Sequence, residues 1–301
     1  QAYMKYELGV TGQAVSTIVN RFKFIRNFLK VLEQKNILVV DAKAGDLEEY
    51  TKILLSRKIQ AQSFNERIFG IGHFFKFMEV RQYIPKMPFR IEYFQQKVIR
   101  VHHDRNVEEI IYMEILKKLY LFPERLRCMF LHLWCLGLRA SEVCTLKGNA
   151  YYRQGEDYWI QVYQVKMKNY KKIPIPKALY QLMEVYLKKN GIQPEEYIFQ
   201  NTKGGVCYYS TFRYQMLKAC RENEIANGEY IFKSHDYRHT VATMFYDNDV
   251  SLQSIRDYLG HTYEEMTRQY IDYMPKKIAQ ANEEFFSMQE SSLASWLKKG
   301  E

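Results

Sequence analysis

The chain has 301 residues, of which 47% are hydrophobic and 26% charged, and its formal net charge is +10. This length favours about two domains with ordinary globular cores. No stretch reaches the ~18 uninterrupted apolar residues that a membrane span needs, so we expect no membrane partner. The five cysteines are odd in number and lack zinc-ligand spacing, which favours reduced thiols in the cytoplasm over disulfides or a metal site.

The positive charge is concentrated in the first third of the chain. Residues 1–100 hold 17 Lys and Arg against 9 Asp and Glu, a net charge of +8, and the remainder carries +2. A basic first third predicts a polyanionic partner such as nucleic acid, with a merely solvated basic surface as the alternative. The sequence opens QAYMKYELG without Met, so we expect residue 1 not to be the native start.

Three helical patterns lie within residues 1–90. Apolar residues recur at helical spacing over 15–32, a second helix with Asp46 as its cap runs over 46–57, and a third fits 65–80. Short helices with short connections predict a small helical bundle. Its aromatic side chains are expected to pack in the core, with base stacking as the alternative. Several basic residues lie mostly off the apolar stripe of the first helix. They are Arg21, Lys23, Arg26 and Lys30.

Pro85 and Pro88 end the helical pattern. The segment that follows is basic, with Lys97 and Arg100 among its charges, and predicts a linker over 91–106. The expected organisation is therefore a helical domain at 1–90, this linker, and a second domain at 107–301. The basic residues named for the first helix, with Lys97 and Arg100, are the candidate contacts to a polyanion.

The second domain is predicted to be mainly helical with a small antiparallel β-sheet. Helices are expected over 107–120, 123–137, 140–147, 177–189, 210–224, 236–247, 251–258 and 276–290. The aromatic and β-branched run at 158–165 predicts a strand. A Lys-rich turn, MKNYKK, precedes a short returning strand at 172–175, in which Pro174 indicates an edge position.

Metal-independent cleavage of a phosphodiester needs a nucleophile, fixed positive charge on the phosphoryl oxygens and a proton for the leaving oxygen. Two stretches offer the charge. In GLRASEV, Arg139 follows a Gly at a predicted helix junction, and Glu142 lies one turn later, where it can hold Arg139. In HDYRH, His235 and Arg238 are three residues apart and can share one helix face.

Two further stretches offer the proton and the nucleophile. The Lys-rich turn begins at Lys166, and Leu-Gly-His ends at His261 with Tyr270 nine residues later. Each stretch alone is weakly specific, since a Lys-rich turn is usually just solvated and most tyrosines are structural. Their occurrence together in this order along the chain is far more specific than any one of them alone. GLRASEV, the turn lysine before IPIP, HDYRHT, LGH and the following tyrosine resemble the motifs of the tyrosine recombinase (phage-integrase) family over residues 107–285.

This resemblance implies a role for each matching residue. Arg139 and Arg238 match the phosphate-binding arginines, His235 the residue that assists deprotonation of the nucleophile, and His261 the second histidine. Tyr270 matches the nucleophile, with Tyr273 as the alternative. Lys166 matches the lysine that protonates the leaving oxygen, because it lies eight residues before Pro174, with Lys168 as the alternative. Glu142 is expected to support Arg139 without touching the phosphate.

The resemblance also implies a fold and a function. The expected fold is an N-terminal helical core-binding bundle followed by a mixed α/β tyrosine-recombinase catalytic domain. The expected activity is site-specific cleavage and rejoining of double-stranded DNA through a 3′-phosphotyrosyl bond, with no cofactor, metal or ATP, by a homotetramer on two DNA sites. A mobile-element integrase or transposase is favoured. A type IB topoisomerase and a non-catalytic DNA-binding protein are the alternatives.

Two questions about the ends of the chain stay open in the sequence. The segment 284–301 contains Phe285, Phe286, Leu293 and Trp296, and it can dock on a neighbouring protomer or pack on its own domain. A preceding arm-binding domain is compatible with the missing initiator Met.

Overall fold

The structure is a computed structural model and describes residues 1–99, 105–165 and 167–260. The chain divides into two compact units, Gln1–Val101 and His102–Glu301, and each is described by itself. Helices dominate both units, and the second contains a small antiparallel sheet. The predicted fold class, mainly α with a small antiparallel sheet, is therefore confirmed.

The first unit is a bundle built from four α-helices of the described residues. Their bounds are α1 Ala2–Gly9, α2 Val15–Gln34, α3 Ala44–Ser56 and α4 Ala61–Val80. The core contains Phe28, whose ring makes edge contacts with Tyr50 and Phe75 at centroid distances of 5.5 and 6.1 Å. Edge-to-face packing of this kind is the preferred geometry for aromatic pairs, and the predicted core role of these rings is confirmed.

Two details of the predicted bundle are wrong. Val15, Val19 and Phe22 belong to the apolar pattern of α2 but are exposed, because the buried stripe of the helix consists of other residues, namely Ile18, Ile25, Phe28 and Leu32. Asp46 is not the cap of α3. It lies in the first turn and accepts a hydrogen bond of 2.9 Å from the backbone N–H of Lys43, the residue that precedes the helix.

The predicted linker begins too early. A short 3-10 helix at Ile91–Phe94 packs on the first unit, where Ile91 is buried against Gly72 of α4. Asn65 and Gln96 then exchange hydrogen bonds of 2.9 and 2.8 Å between side chain and backbone. Because these contacts fix residues 91–96 on the bundle, that part of the predicted linker does not behave as a free connection.

In the second unit, the other elements pack around helix α6, which is almost wholly buried. Its helices are α5 Glu109–Lys118, α6 Glu124–Leu136, α7 Ala140–Cys144, α8 Lys177–Lys189, α9 Tyr209–Glu222, α10 Ser234–Asp247 and α11 Leu252–Leu259. α10 packs on α6, with the ring of Tyr237 on edge to that of Phe130 at 5.1 Å. Among the helices that the structure describes, none combines the length and apolar composition needed to cross a membrane.

The sheet of the second unit has the strand order β1-β2-β3, all antiparallel, with bounds β1 Tyr151–Gln154, β2 Asp157–Gln164 and β3 Asn169–Pro174. Pro174 pairs with Trp159 on the outer strand β3, which confirms its predicted edge position. Ile160 faces Ile173 and Val162 faces Lys171 across β2 and β3. Residues directly opposite one another share a face of the sheet, so Lys171 lies on the side of the buried Val162 and Ile173.

Candidate active site

The site begins at the junction between α6 and α7. α6 ends at Leu136, the following Gly137 adopts a left-handed conformation with φ of 58°, and Arg139 immediately precedes the first residue of α7. A Cβ at Gly137 would lie 3.1 Å from Val241 Cγ1, so both the backbone angle and the space favour glycine. This turn places Arg139 at the start of α7, which is the helix junction that the Gly-Leu-Arg stretch predicts.

Glu142 holds Arg139 in two ways. Its Oε2 accepts a hydrogen bond of 2.8 Å from the Arg139 backbone N–H, and its Oε1 accepts one of 2.8 Å from Arg139 Nη1. The first bond satisfies a backbone donor at the start of α7, where a carboxylate is favoured. Glu142 thus contacts Arg139 as the spacing predicts, and its supporting role at the site stays a prediction.

The Glu142 carboxylate also lies between two further cations. The Nζ of Lys171 and the Nη1 of Arg238 are each 3.9 Å from its Oε2. Burial alone would raise the pKa of Glu142, but the charges of Lys171 and Arg238 and the hydrogen bond from the Arg139 N–H outweigh it and lower the pKa. Glu142 is 1% exposed, so this is an ionised carboxylate inside the protein.

Arg238 is fully buried and connects the ends of two helices. Its Nη1 donates a hydrogen bond of 2.9 Å to the carbonyl of Gly137, and its Nη2 donates to the carbonyl of Leu259. Carbonyls at the carboxyl ends of helices carry partial negative charge and lack helical partners, so they suit a guanidinium. Arg238 is thus held between α6 and α11 while facing Glu142.

His235 lies one turn before Arg238 on α10, as predicted, and is exposed. The pKa of its imidazole is lowered, first by partial desolvation and then by the positive charges of Arg238 and Arg139. Because the residue is exposed, desolvation lowers its pKa only modestly, and the charges of the two guanidiniums lower it further. His235 is therefore neutral near pH 7, the form that can accept a proton.

Lys171 is a member of this cluster that the sequence prediction missed. Its side chain is 9% exposed, and its Nζ donates a hydrogen bond of 3.2 Å to the carbonyl of Tyr258 in α11. The signal that could have identified it is the alternation of Lys171 with Ile173 on β3, which assigns both residues to the inner face.

Several predicted site residues lie outside the described residues. They are Lys166, His261, Tyr270, the alternative nucleophile Tyr273, and Arg100 of the predicted linker. The alternative lysine, Lys168, is exposed in the turn between β2 and β3 and has a positive φ of 54°. The choice between Lys166 and Lys168, and that between Tyr270 and Tyr273, stay predictions.

In the first unit, Lys23, Arg26, Lys30 and Lys97 are exposed, as a contact to a polyanion requires. Arg21 differs. Its Nη1 lies 2.8 Å from Oε2 of the buried Glu7, and its own side chain is 18% exposed. Arg21 is therefore less exposed than the other basic residues of α2 and already has an ionic partner, and the DNA contact predicted for it stays a prediction.

The cluster is suited to binding an anion with the charge of one phosphodiester. Arg139, Arg238 and Lys171 surround a single carboxylate, which leaves an excess of positive charge. Arg139, with 21% of its side chain exposed, is the most accessible of the three cations. Among the described residues, no group of three or more His, Cys, Asp or Glu side chains is arranged to hold a metal ion.

The sequence and the fold identify the family. A profile of the phage integrase family matches residues 105–277, and the chain belongs to that family. Transposase B from transposon Tn554 of Staphylococcus aureus is 28% identical over 277 residues, which cover 89% of this chain. The chain spans 44% of that relative's length. A tyrosine recombinase of Pseudothermotoga lettingae is 23% identical over 279 residues, covering 90% of this chain and 92% of the relative.

Solved structures of recombinases share the fold. The XerH site-specific recombinase bound to a palindromic difH substrate superposes with a TM-score of 0.68 and 14% identity, covering 86% of this chain and 78% of XerH. The Tn1549 transposon integrase in complex with a circular intermediate DNA superposes with a TM-score of 0.66 and 16% identity, covering 94% of this chain and 97% of the integrase chain. The second unit therefore has the fold of a tyrosine recombinase catalytic domain.

Proposed function

We propose that the chain is a site-specific recombinase that cleaves and rejoins double-stranded DNA without metal or ATP. The observation that carries this proposal is the arrangement of Arg139 and Arg238 around the buried Glu142, with His235 one turn away. Fixed guanidiniums stabilise the negative charge that develops on a phosphodiester during attack. Removing one such group is expected to cost roughly 2–4 kcal/mol of barrier.

The nucleophile in this proposal is Tyr270. Its Oη forms a bond to the scissile phosphorus as the bond from phosphorus to the 5′-oxygen breaks, and the electron pair leaves on that oxygen. Lys166 protonates the leaving oxygen. His235 accepts the phenol proton, which is needed because an unperturbed tyrosine, with a pKa near 10, is a weak nucleophile at neutral pH. His261 hydrogen-bonds the phosphate.

The product of this step is a 3′-phosphotyrosyl bond and a free 5′-hydroxyl. The covalent bond retains the free energy of the phosphodiester, so a 5′-hydroxyl from another strand can reverse the step and join new partners. We propose duplex DNA as the substrate and a homotetramer on two DNA sites as the active assembly. The transposon origin of the Tn554 and Tn1549 relatives supports integration, excision or transposition of a mobile element.

The exposed basic residues of the first unit, Lys23, Arg26, Lys30 and Lys97, are proposed to contact DNA phosphates. Contacts of this kind supply affinity without sequence preference and weaken steeply with salt. A cytoplasmic location fits the chemistry of the chain, since the five cysteines are all free and buried in the structure.

The test is formation of a covalent protein–DNA complex. A target duplex is first selected from a randomised library by repeated binding to this protein, and a nick is then placed so that the short leaving strand diffuses away. The wild-type protein and Tyr273→Phe should accumulate the complex, and Tyr270→Phe should not. A complex that persists in Tyr270→Phe but vanishes in Tyr273→Phe would transfer the nucleophilic role to Tyr273.

A type IB topoisomerase shares this chemistry but relaxes supercoils. A supercoiled plasmid that lacks the selected site separates the two activities. The proposal predicts slow or no relaxation of that plasmid and strand exchange between two copies of the selected duplex. Efficient relaxation without the site would favour the topoisomerase, and binding without any covalent complex would favour a non-catalytic DNA-binding protein.

A further inference from the structure

Lys171 is a buried cation that none of the sequence motifs uses. It lies on the inner face of β3, opposite the buried Val162, and 9% of its side chain is exposed. An apolar residue would fit the pattern of this face, which Ile173 continues. Burying an ammonium is costly unless its charge and its N–H donors are satisfied, so its presence here requires a compensating role.

The contacts of Lys171 join three elements of the site. Its Nζ donates to the carbonyl of Tyr258 near the end of α11 at 3.2 Å, and it lies 3.9 Å from Oε2 of Glu142 in α7. Arg238 of α10 donates to the next carbonyl of α11, that of Leu259. Two cations thus hold consecutive carbonyls at the carboxyl end of α11, and both face the same carboxylate.

The sequence places the remaining predicted catalytic residues next to these anchors. His261 follows Leu259 by two residues, and Lys166 precedes Lys171 by five in the strand-turn-strand unit. Lys171 and the α11 carbonyls that it and Arg238 hold are therefore close in the chain to the two residues expected to supply the proton and a phosphate ligand. Lys171 also fixes the carboxylate that positions Arg139.

We propose that Lys171 is a positioning residue for the DNA-cleavage reaction: its ammonium holds Glu142 and the end of α11 together and so fixes the arginine pair around the scissile phosphate. This inference rests on the proposed function. Lys171 acts through Glu142 and the backbone of α11 and does not donate a proton to the leaving oxygen.

The charge environment gives the proposal a pH signature. Glu142 and Arg139 face Lys171 from α7 and the residue that precedes it, and Arg238 faces it from α10. Desolvation lowers the pKa of Lys171 to about 8, with the two arginines acting in the same direction and Glu142 opposing them. Lys171 is therefore charged below about pH 8 and loses its charge as the pH rises through that value.

The experiment compares Lys171→Met, Lys171→Arg and the matched control Lys172→Met in single-turnover cleavage of the nicked, library-selected duplex. Lys172 is the exposed neighbour on the opposite face of β3. We expect cleavage by Lys171→Met to be about 10- to 100-fold slower, because misplacing a reacting group by about 1 Å can slow a reaction about 100-fold. Lys172→Met should cleave at the wild-type rate.

A substrate with sulfur in place of the bridging 5′-oxygen separates positioning from proton donation, because a thiolate leaves without a proton. Lys166→Met should regain cleavage on this substrate, and Lys171→Met should stay slow. Rescue of Lys171→Met to the wild-type rate would overturn the proposal and make Lys171 the proton donor. A wild-type rate for Lys171→Met on the ordinary substrate would also overturn it.

The pH profile covers the case in which Lys171→Met does not fold. Wild-type cleavage should fall above about pH 8 in a way that Lys171→Arg does not, since an arginine stays charged at that pH. Identical profiles for the two proteins would overturn the proposal. Failure of the proposed function is distinguishable, because the wild type and Lys172→Met would then form no covalent complex at any pH.

Discussion

Replacement of Glu142 by Gln tests the charge arrangement of the site most sharply. The side chain keeps its volume, and its carbonyl oxygen can still accept the hydrogen bond from the Arg139 backbone. What is lost is a buried negative charge that lies 2.8 Å from one cation and 3.9 Å from two others. At an effective dielectric constant of 20, each pair near 4 Å contributes about 4 kcal/mol of attraction before desolvation is subtracted.

Desolvation of the carboxylate and relaxation of the site remove much of that attraction. Breaking a buried ion pair from one side typically costs about 3–5 kcal/mol, so we expect Glu142→Gln to lower the free energy of unfolding by about 3 kcal/mol. For a domain of this size the melting temperature should fall by roughly 6–12 °C. Arg139 should also lose its fixed orientation, so DNA cleavage should slow together with the fall in stability.

Urea denaturation followed by tryptophan fluorescence measures the effect, because Trp134 and Trp159 both lie in the second unit. The matched control is Glu195→Gln. That carboxylate pairs with Lys147 at 3.2 Å on the surface, with 78% of its side chain exposed, and its loss should leave the midpoint unchanged. Equal midpoints for Glu142→Gln and the wild type would refute the reasoning, since the three cations around residue 142 would then need no carboxylate.

Three further predictions follow from the structure. Because the pKa of Glu142 is lowered in the folded protein, its ionised carboxylate contributes its full stabilisation above the unfolded pKa near 4.3, and this stabilisation is lost as the pH falls through the lower folded pKa. The free energy of unfolding of Glu142→Gln should therefore fall less steeply with decreasing pH than that of the wild type. Parallel curves of unfolding free energy against pH would contradict this. Gly260→Ala should lower the free energy of unfolding by about 1–3 kcal/mol, because Gly260 has a φ of 67° and its Cβ would overlap Gln164; an unchanged urea midpoint would contradict this. Replacing Arg26 and Lys30 together by Ala should reduce the slope of log affinity against log salt by about 2 in fluorescence anisotropy, and an unchanged slope would remove them from the DNA contact.

The helices were largely predictable from sequence because their apolar residues recur at helical spacing on faces that become buried. The prediction of 177–189 coincides with α8 Lys177–Lys189, and the other described helices of the second unit differ mainly at their ends. α1 and β1 were not predicted. β1 is short, its residues Tyr151–Gln154 alternate little in polarity, and its pairing with β2 depends on a partner that local pattern does not reveal.

The candidate site was predictable where a motif carried it and was missed where it depended on packing. Arg139, Glu142, His235 and Arg238 come together as their motifs predict. Lys171 was assigned to a solvated turn, because a run of lysines gives no indication that one of them faces inward. The internal pairing of Arg21 with Glu7 likewise depends on how α1 meets α2, which spacing within one helix does not determine.

The identity of the amino acid that becomes joined to DNA tests the central claim most directly. The covalent complex formed on the nicked duplex would be digested with protease and nuclease, and the peptide that retains a nucleotide would be sequenced by mass spectrometry. The account predicts a 3′-phosphotyrosyl linkage at Tyr270. A linkage at another residue, or strand cleavage with no protein attached to the DNA, would contradict it.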